Sequence, residues 1–217
     1  MRKLLITLFM IGFAPLALAL SPYYYGSKVQ AGDVSAVLAQ VEAKLTQAGF
    51  QVVGKHAPPG LPGYGVLVVT DEGLLGIIRR LGGANIVGAP IRVGVKADGT
   101  VSYINLEYWE RAYFRKQYSY AQRAVKSAHA KLAKALGVGK PFGGSVDKLD
   151  LADYQYMFGM EGFDSDKNVV MEHLSFDDAV KTIQDNLARG VGKTSKVYEI
   201  IMRSEERRVG KECRSRW

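Results

Sequence analysis

From residue 20 to residue 136 the chain alternates between two periods of hydrophobicity. The runs SPYYYGSKV, FQVVGKHA and YGVLVVT are rich in β-branched and aromatic residues and predict strands, the last apolar enough to be buried. DVSAVLAQVEAKLTQAG predicts a helix, with Val34, Val37, Leu38, Val41 and Leu45 at helical spacing, Asp33 as its cap and Gly49 at its end. PPGLPG reads as a turn, and DEGLLGIIRRLGG as a short helix with acids in its first turn and glycine at its stop. APIRVGVKADGTVSYINLEYW reads as a hairpin about Asp98 and Gly99. YSYAQRAVKSAHAKLAKALG predicts a helix that buries Ala121, Val125, Ala128, Leu132 and Leu136 and turns Arg123, Lys126, Lys131 and Lys134 to water.

The resulting order, β-α-β-β-α-β-β-α, carries no dinucleotide fingerprint. Its β-β steps predict an α+β fold, a mainly antiparallel sheet with helices packed on one face. This first unit spans residues 20–137, and VGKPFGGSVDKL, residues 138–149, reads as a linker. A second unit follows over residues 150–202. YQYMFGMEGF reads as a strand, SFDDAVKTIQDNLARG as a helix capped by Ser175 and stopped by Gly190, and KVYEIIM as a strand. This helix-then-strand order repeats that of the first unit. Two related units are therefore expected, the second truncated, with the chain continuing past Met202.

That expectation rests on the last fifteen residues, 203–217, RSEERRVGKECRSRW. In one reading frame they back-translate to what resembles a common short-read sequencing adapter. As an artefact tail they are set aside from fold reasoning. They hold the only cysteine, Cys213, so no disulfide or thiol chemistry is expected of the rest. They also change the charge. The whole chain carries 29 basic and 21 acidic residues, a net +8; without the tail's six basic and three acidic residues it is +5. The N-terminus, MRKLLITLFMIGFAPLALAL, has a basic start, an apolar run and Ala17-Leu18-Ala19 as a cleavage motif. Residues 1–19 therefore read as a secretory signal peptide, the alternative being an uncleaved anchor helix. Removing Arg2 and Lys3 leaves +3, which gives a nucleic-acid partner little support. No later segment is apolar enough to span a membrane, so a periplasmic or secreted location is expected.

Candidate chemistry is sparse. GVGKTS, residues 190–195, has Leu187 where a phosphate loop needs its first glycine, and it follows a helix rather than leading into one. DSDKN, residues 164–168, begins like a calcium loop, but Val169 stands at the sixth position and Ser175 at the twelfth. Met157, Met160, Met171 and His173 cluster within one short region, and thioether with imidazole suits copper or haem iron. On a strand, however, Met157 and Met160 would face opposite ways. The histidines His56, His129 and His173 form no metal-binding pair in sequence. Glu107 and Glu110 could share acid–base work only if their strand bends. Tyr103, Tyr108, Trp109, Tyr113 and Phe114, followed by Tyr118 and Tyr120, could form core, an apolar pocket or a partner surface.

AGFQVVGKH, YGVLVVTD and GAPIRVGVKADGTVSYINLEYWERAYF, with YQYMFGMEGFD and VYEIIM further on, resemble exported proteins related to the family catalogued as domain of unknown function 302. The likeness runs over roughly residues 33–202. It implies an α+β fold and no assigned reaction, and no site residue is carried over from it. The leading expectation is an exported, non-enzymatic binding or accessory protein that uses Tyr103, Tyr108, Trp109, Tyr113 and Phe114 around a small apolar ligand or a protein partner, without a cofactor. The alternatives are a copper or haem protein built on Met157, Met160, Met171 and His173, and a hydrolase using Glu107, Glu110 or His56.

Overall fold

Alternation along a strand decides which face of a sheet each residue serves, and here the two faces differ. The structure, a computed structural model, describes residues 19–169 and 171–202. The expected signal peptide, apart from Ala19, and the tail over 203–217 lie outside the described residues. The strands are β1 (Ala19–Leu20), β2 (Tyr23–Tyr25), β3 (Gln51–His56), β4 (Tyr64–Thr70), β5 (Ile91–Lys96), β6 (Val101–Ile104), β7 (Pro141–Phe142) and β8 (Val146–Asp147). The helices are α1 (Val34–Gln47), α2 (Glu72–Leu81), α3 (Leu106–Phe114), α4 (Tyr118–Leu136) and α5 (Phe176–Ala188). The main sheet is antiparallel in the order β3-β4-β5-β6-β2-β7, and β1 pairs with β8 in a small second sheet. The fold is α+β, and among the described residues no helix is long and apolar enough to cross a membrane.

One register line runs Leu67, Val93, Tyr103, Tyr24 across four strands. These side chains face α1, α2 and α4, which supply Val37, Leu38, Val41 and Leu45, then Leu74 and Ile78, then Ala121, Val125, Ala128 and Leu132 to the same core. The buried positions of α1 and α4 are those their periodicity predicts, except that Val34 is only half-buried and α4 also buries Tyr118. The adjacent register line carries Val68 and Arg92 to the opposite face.

Asp71 ties two of the covering helices together. It caps α2 by accepting from the Leu74 N–H at 3.0 Å, and its second carboxylate oxygen meets Lys131 Nζ of α4 at 2.6 Å. The carboxylate is 2 % exposed whereas Lys131 is 44 % exposed. The cap is therefore the dry part of this interaction, and the lysine keeps much of its hydration.

Three expectations need correction. LEYW is not the end of a strand. Asn105 accepts from the Glu107 N–H at 3.1 Å and starts α3 there, so Glu107 and Glu110 are helical neighbours. Residues 138–149 are more than a linker, because β7 extends the main sheet beside β2 and β8 pairs with β1. The second unit's expected strands are not formed as such among the described residues. Residues 154–163 make turns, and KVYEIIM makes a single antiparallel bridge, Tyr198 to Gly54 of β3. Helix α5 forms as predicted, with Ser175 accepting from the Asp178 N–H, but none of its residues is buried.

Replacing Asp71 should destabilise more than replacing its partner. Asp71→Ala removes a cap worth about 0.5–2 kcal/mol, whereas Lys131→Met removes a half-exposed charge partner worth about 0–1 kcal/mol. Urea unfolding of both variants checks the order; equal losses would mean that the ion pair, not the cap, is the stronger element.

Candidate functional site

The face of the sheet turned away from α1, α2 and α4, the side of Tyr23 and Arg92, gathers Tyr108, Trp109 and Tyr113 of α3. Trp109 is the centre. Its ring lies 6.1 Å from Tyr23, 5.3 Å from Tyr108, 5.7 Å from Tyr113 and 6.3 Å from Tyr154. Its Nε1–H donates to the Pro22 carbonyl at 3.1 Å, which fixes the indole against the start of β2. The Arg92 guanidinium reaches the same cluster from β5. It stands 5.9 Å from the Trp109 ring, and its Nη2 donates to the Tyr113 hydroxyl at 3.3 Å.

Beside this cluster is a cavity of about 350 Å³. Ile86, Val87, Ala89 and Pro90 line it from the segment before β5, Arg92 and Tyr113 from the cluster, and Tyr198 and Ile200 from the segment that bridges to β3. Its size suits a small organic ligand. A second depression of about 550 Å³ lies between Tyr113, Phe114 and Arg115 on one hand and Ala152, Asp153 and Asp164 on the other. Arg115 closes that region by pairing with Asp164 at 3.0 Å, donating to the Ala152 carbonyl at 3.3 Å and lying 5.3 Å from the Phe163 ring.

Behind the cluster sits Glu110. It is 1 % exposed, and neither carboxyl oxygen has a hydrogen-bond partner among the described residues. Burial pushes its carboxyl well above the usual carboxylate range, and the nearby Arg92 charge offsets this only in part. The carboxyl abuts Gly88 so closely that a Cβ there would stand 2.2 Å from its Oε2 and 2.8 Å from the Phe114 ring. Gly88 is thus required by packing. Burial also raises the Tyr113 phenol, which keeps it a proton donor at neutral pH.

The expected ligand residues divide. Tyr113 lines the cavity, while Trp109 and Tyr108 form the cluster beside it. Tyr103 and Phe114 belong to the core, each 1 % exposed, and Tyr103 donates to the Gly137 carbonyl at 2.8 Å. Arg92, Val87, Pro90, Tyr198 and Ile200 were not singled out in the sequence. Arg92 was the one of these with a local signal, a charge at alternate parity to the buried Ile91, Val93 and Val95 of β5.

The remaining candidates are placed as follows. Met157 and Met160 lie in one turn, closed by the Met160 N–H donating to the Met157 carbonyl at 3.1 Å, and not on a strand. Met157, Met160 and Met171 are all exposed, and His173 Nδ1 lies 3.2 Å from Asp178. Among the described residues no group of three His, Cys, Asp or Glu side chains could hold a metal ion. Glu107 pairs with Arg111 at 2.8 Å. His129 packs 5.7 Å from Tyr24, and burial lowers its pKa. His56 is on β3, half-buried. The structure does not join Glu107 or Glu110 to a histidine by a hydrogen bond among the described residues.

The raised pKa of Glu110 has a consequence for stability. Between the ordinary glutamate value of 4.5 and its own raised value, the folded state holds a proton that the unfolded chain releases. Its contribution to stability is therefore full below the ordinary value and is lost as pH rises through the raised one. Glu110→Met removes this term, so its stability relative to the unaltered protein should increase from pH 5 to pH 8 in urea titrations. A constant difference would show that the carboxyl is not held protonated.

Comparison with protein-family models finds no match for this chain, and comparison with curated proteins finds none.

Proposed function

We propose that this is an exported, non-enzymatic binding protein whose ligand occupies the cavity beside the Trp109 cluster. The observation that carries this reading is the makeup of that cavity: apolar walls from Ile86, Val87, Pro90 and Ile200, two phenols, and one guanidinium. Such a lining offers burial to an apolar body and a few polar contacts to orient it, which is the usual makeup of a small-molecule site. Export is part of the same proposal and rests on the signal-peptide pattern of residues 1–19. The resemblance of residues 33–202 to the domain of unknown function 302 group is proposed with it, supported by the α+β fold that the resemblance implies.

Calorimetric titration with 2-naphthamide, a neutral aromatic probe, tests the pocket. The protein should bind it, and Val87→Trp should weaken binding at least about tenfold by filling the space, ~1.4 kcal/mol. Val87 is 38 % exposed, so the change should leave the melting temperature nearly unaltered. Binding that ignores Val87→Trp would place the ligand elsewhere. A fusion of residues 1–30 to a reporter active only outside the cytoplasm should be active; an inactive fusion would remove export from the proposal.

A further inference from the structure

We propose that the cavity selects ligands that carry a carboxylate, with Arg92 and the Tyr113 hydroxyl as its anchor. This rests on the cavity being the binding site. Arg92 is exposed in the cavity, and among the described residues no carboxylate lies within ion-pair distance of it. The remaining lining residues are uncharged, so nothing in the wall neutralises the guanidinium. Glu110 is the acid whose charge would bear on it, and that side chain is dry, unpartnered and shut behind Gly88. It cannot turn out to pair with Arg92 without leaving its place in the packing, and burial favours its neutral form.

The hydrogen-bond direction adds a second donor. Arg92 donates to Tyr113 at 3.3 Å, so the phenol oxygen acts as acceptor and its own hydrogen is free for a ligand. A planar carboxylate can then accept from the guanidinium and from the phenol together, while its apolar body lies along Val87, Pro90 and Ile200. The fork geometry of arginine suits a carboxylate. A dianionic phosphate would meet one guanidinium and no second positive charge in the lining, which leaves part of its charge unpaired.

The test pairs 2-naphthoate with 2-naphthamide, which share a ring system and differ in charge, on the full chain and on Arg92→Met, Tyr113→Phe and Val87→Trp. The unaltered protein should prefer the naphthoate by roughly tenfold or more. Arg92→Met should abolish that preference while changing amide affinity less than about threefold, and Tyr113→Phe should reduce the preference in part. Far-UV circular dichroism and the melting temperature confirm that each variant is folded. Should Arg92→Met fail to fold, Arg92→Lys serves: it keeps the charge but loses the fork, and should reduce the preference without erasing it. Equal binding of the two probes, or a preference untouched by Arg92→Met and Tyr113→Phe, overturns the carboxylate assignment and leaves the pocket standing. Binding of neither probe, or binding insensitive to Val87→Trp, overturns both.

Discussion

Asn105 is buried at 1 % exposure, and each of its four polar groups is engaged. Its N–H donates to the Pro22 carbonyl, its side-chain amide donates to the Ser21 carbonyl, its side-chain oxygen accepts from Glu107, and its own carbonyl accepts from Trp109. These bonds join three things in one residue: the end of β6, the start of β2 and the first turn of α3. A buried amide left with an unmet partner costs more than the net value of the bond, so the arrangement is close to all-or-none. Everything at the candidate site follows from it. Helix α3 starts where Asn105 starts it, and its rotation then sends Trp109 and Tyr113 toward Arg92 and Glu110 into the dry interior beside Gly88.

This residue is also where the sequence was hardest to read. The helices α1, α2 and α4 follow from the spacing of Val37, Leu38, Val41 and Leu45, of Leu74 and Ile78, and of Ala121, Val125, Ala128 and Leu132, because one face of each meets a single continuous core. Helix α3 has no such stripe. Leu106, Tyr108, Glu110, Ala112 and Phe114 are all buried, because α3 packs against α4 and against the turns Gly83–Gly88 and Asp150–Asp153. Burial at every second residue imitates a strand, and only Asn105, as a cap followed by an acid in the first turn, marks the helix. With α3 taken as a strand, Glu107 and Glu110 fall on opposite faces and the aromatic residues lose their common centre. Of the aromatic set, Trp109 and Tyr113 stand together beside Arg92, but the sequence pattern grouped them with the rest. It could not separate them from Tyr103 and Phe114, which the sheet and the core absorb. Tyr198 and Ile200 come from far along the chain and had no local mark at all.

Glu110 and Arg92 illustrate how a protein keeps a cation available. An exposed arginine near a carboxylate would ordinarily pair with it. Here the carboxyl is packed inside against Gly88, and burial raises its pKa well above the usual carboxylate range, which favours its neutral form. The arginine therefore has a carboxyl neighbour that does not pair with it. The cost is a buried group without a hydrogen bond, which stability alone would not favour.

The wall of the cavity that carries Tyr198 and Ile200 is attached to the sheet by one bridge, at Gly54, where Tyr198 Cβ would come within 2.6 Å of any added Cβ. At its other end Met202 is 6 % exposed and packs into the core. Between these ends Ile200 packs against the core and the Glu199 carboxylate accepts from Gln184 of α5 at 2.9 Å, so the segment is held at several points where it borders the cavity. With a single strand bridge among the described residues, its amide hydrogens have less ladder protection than those of the paired strands β3 and β4. A bound molecule resting on Tyr198 and Ile200 would have to leave, or move with the segment, each time it opened. Opening of this stretch would therefore give a molecule held in the cavity one route out, at the edge of β3.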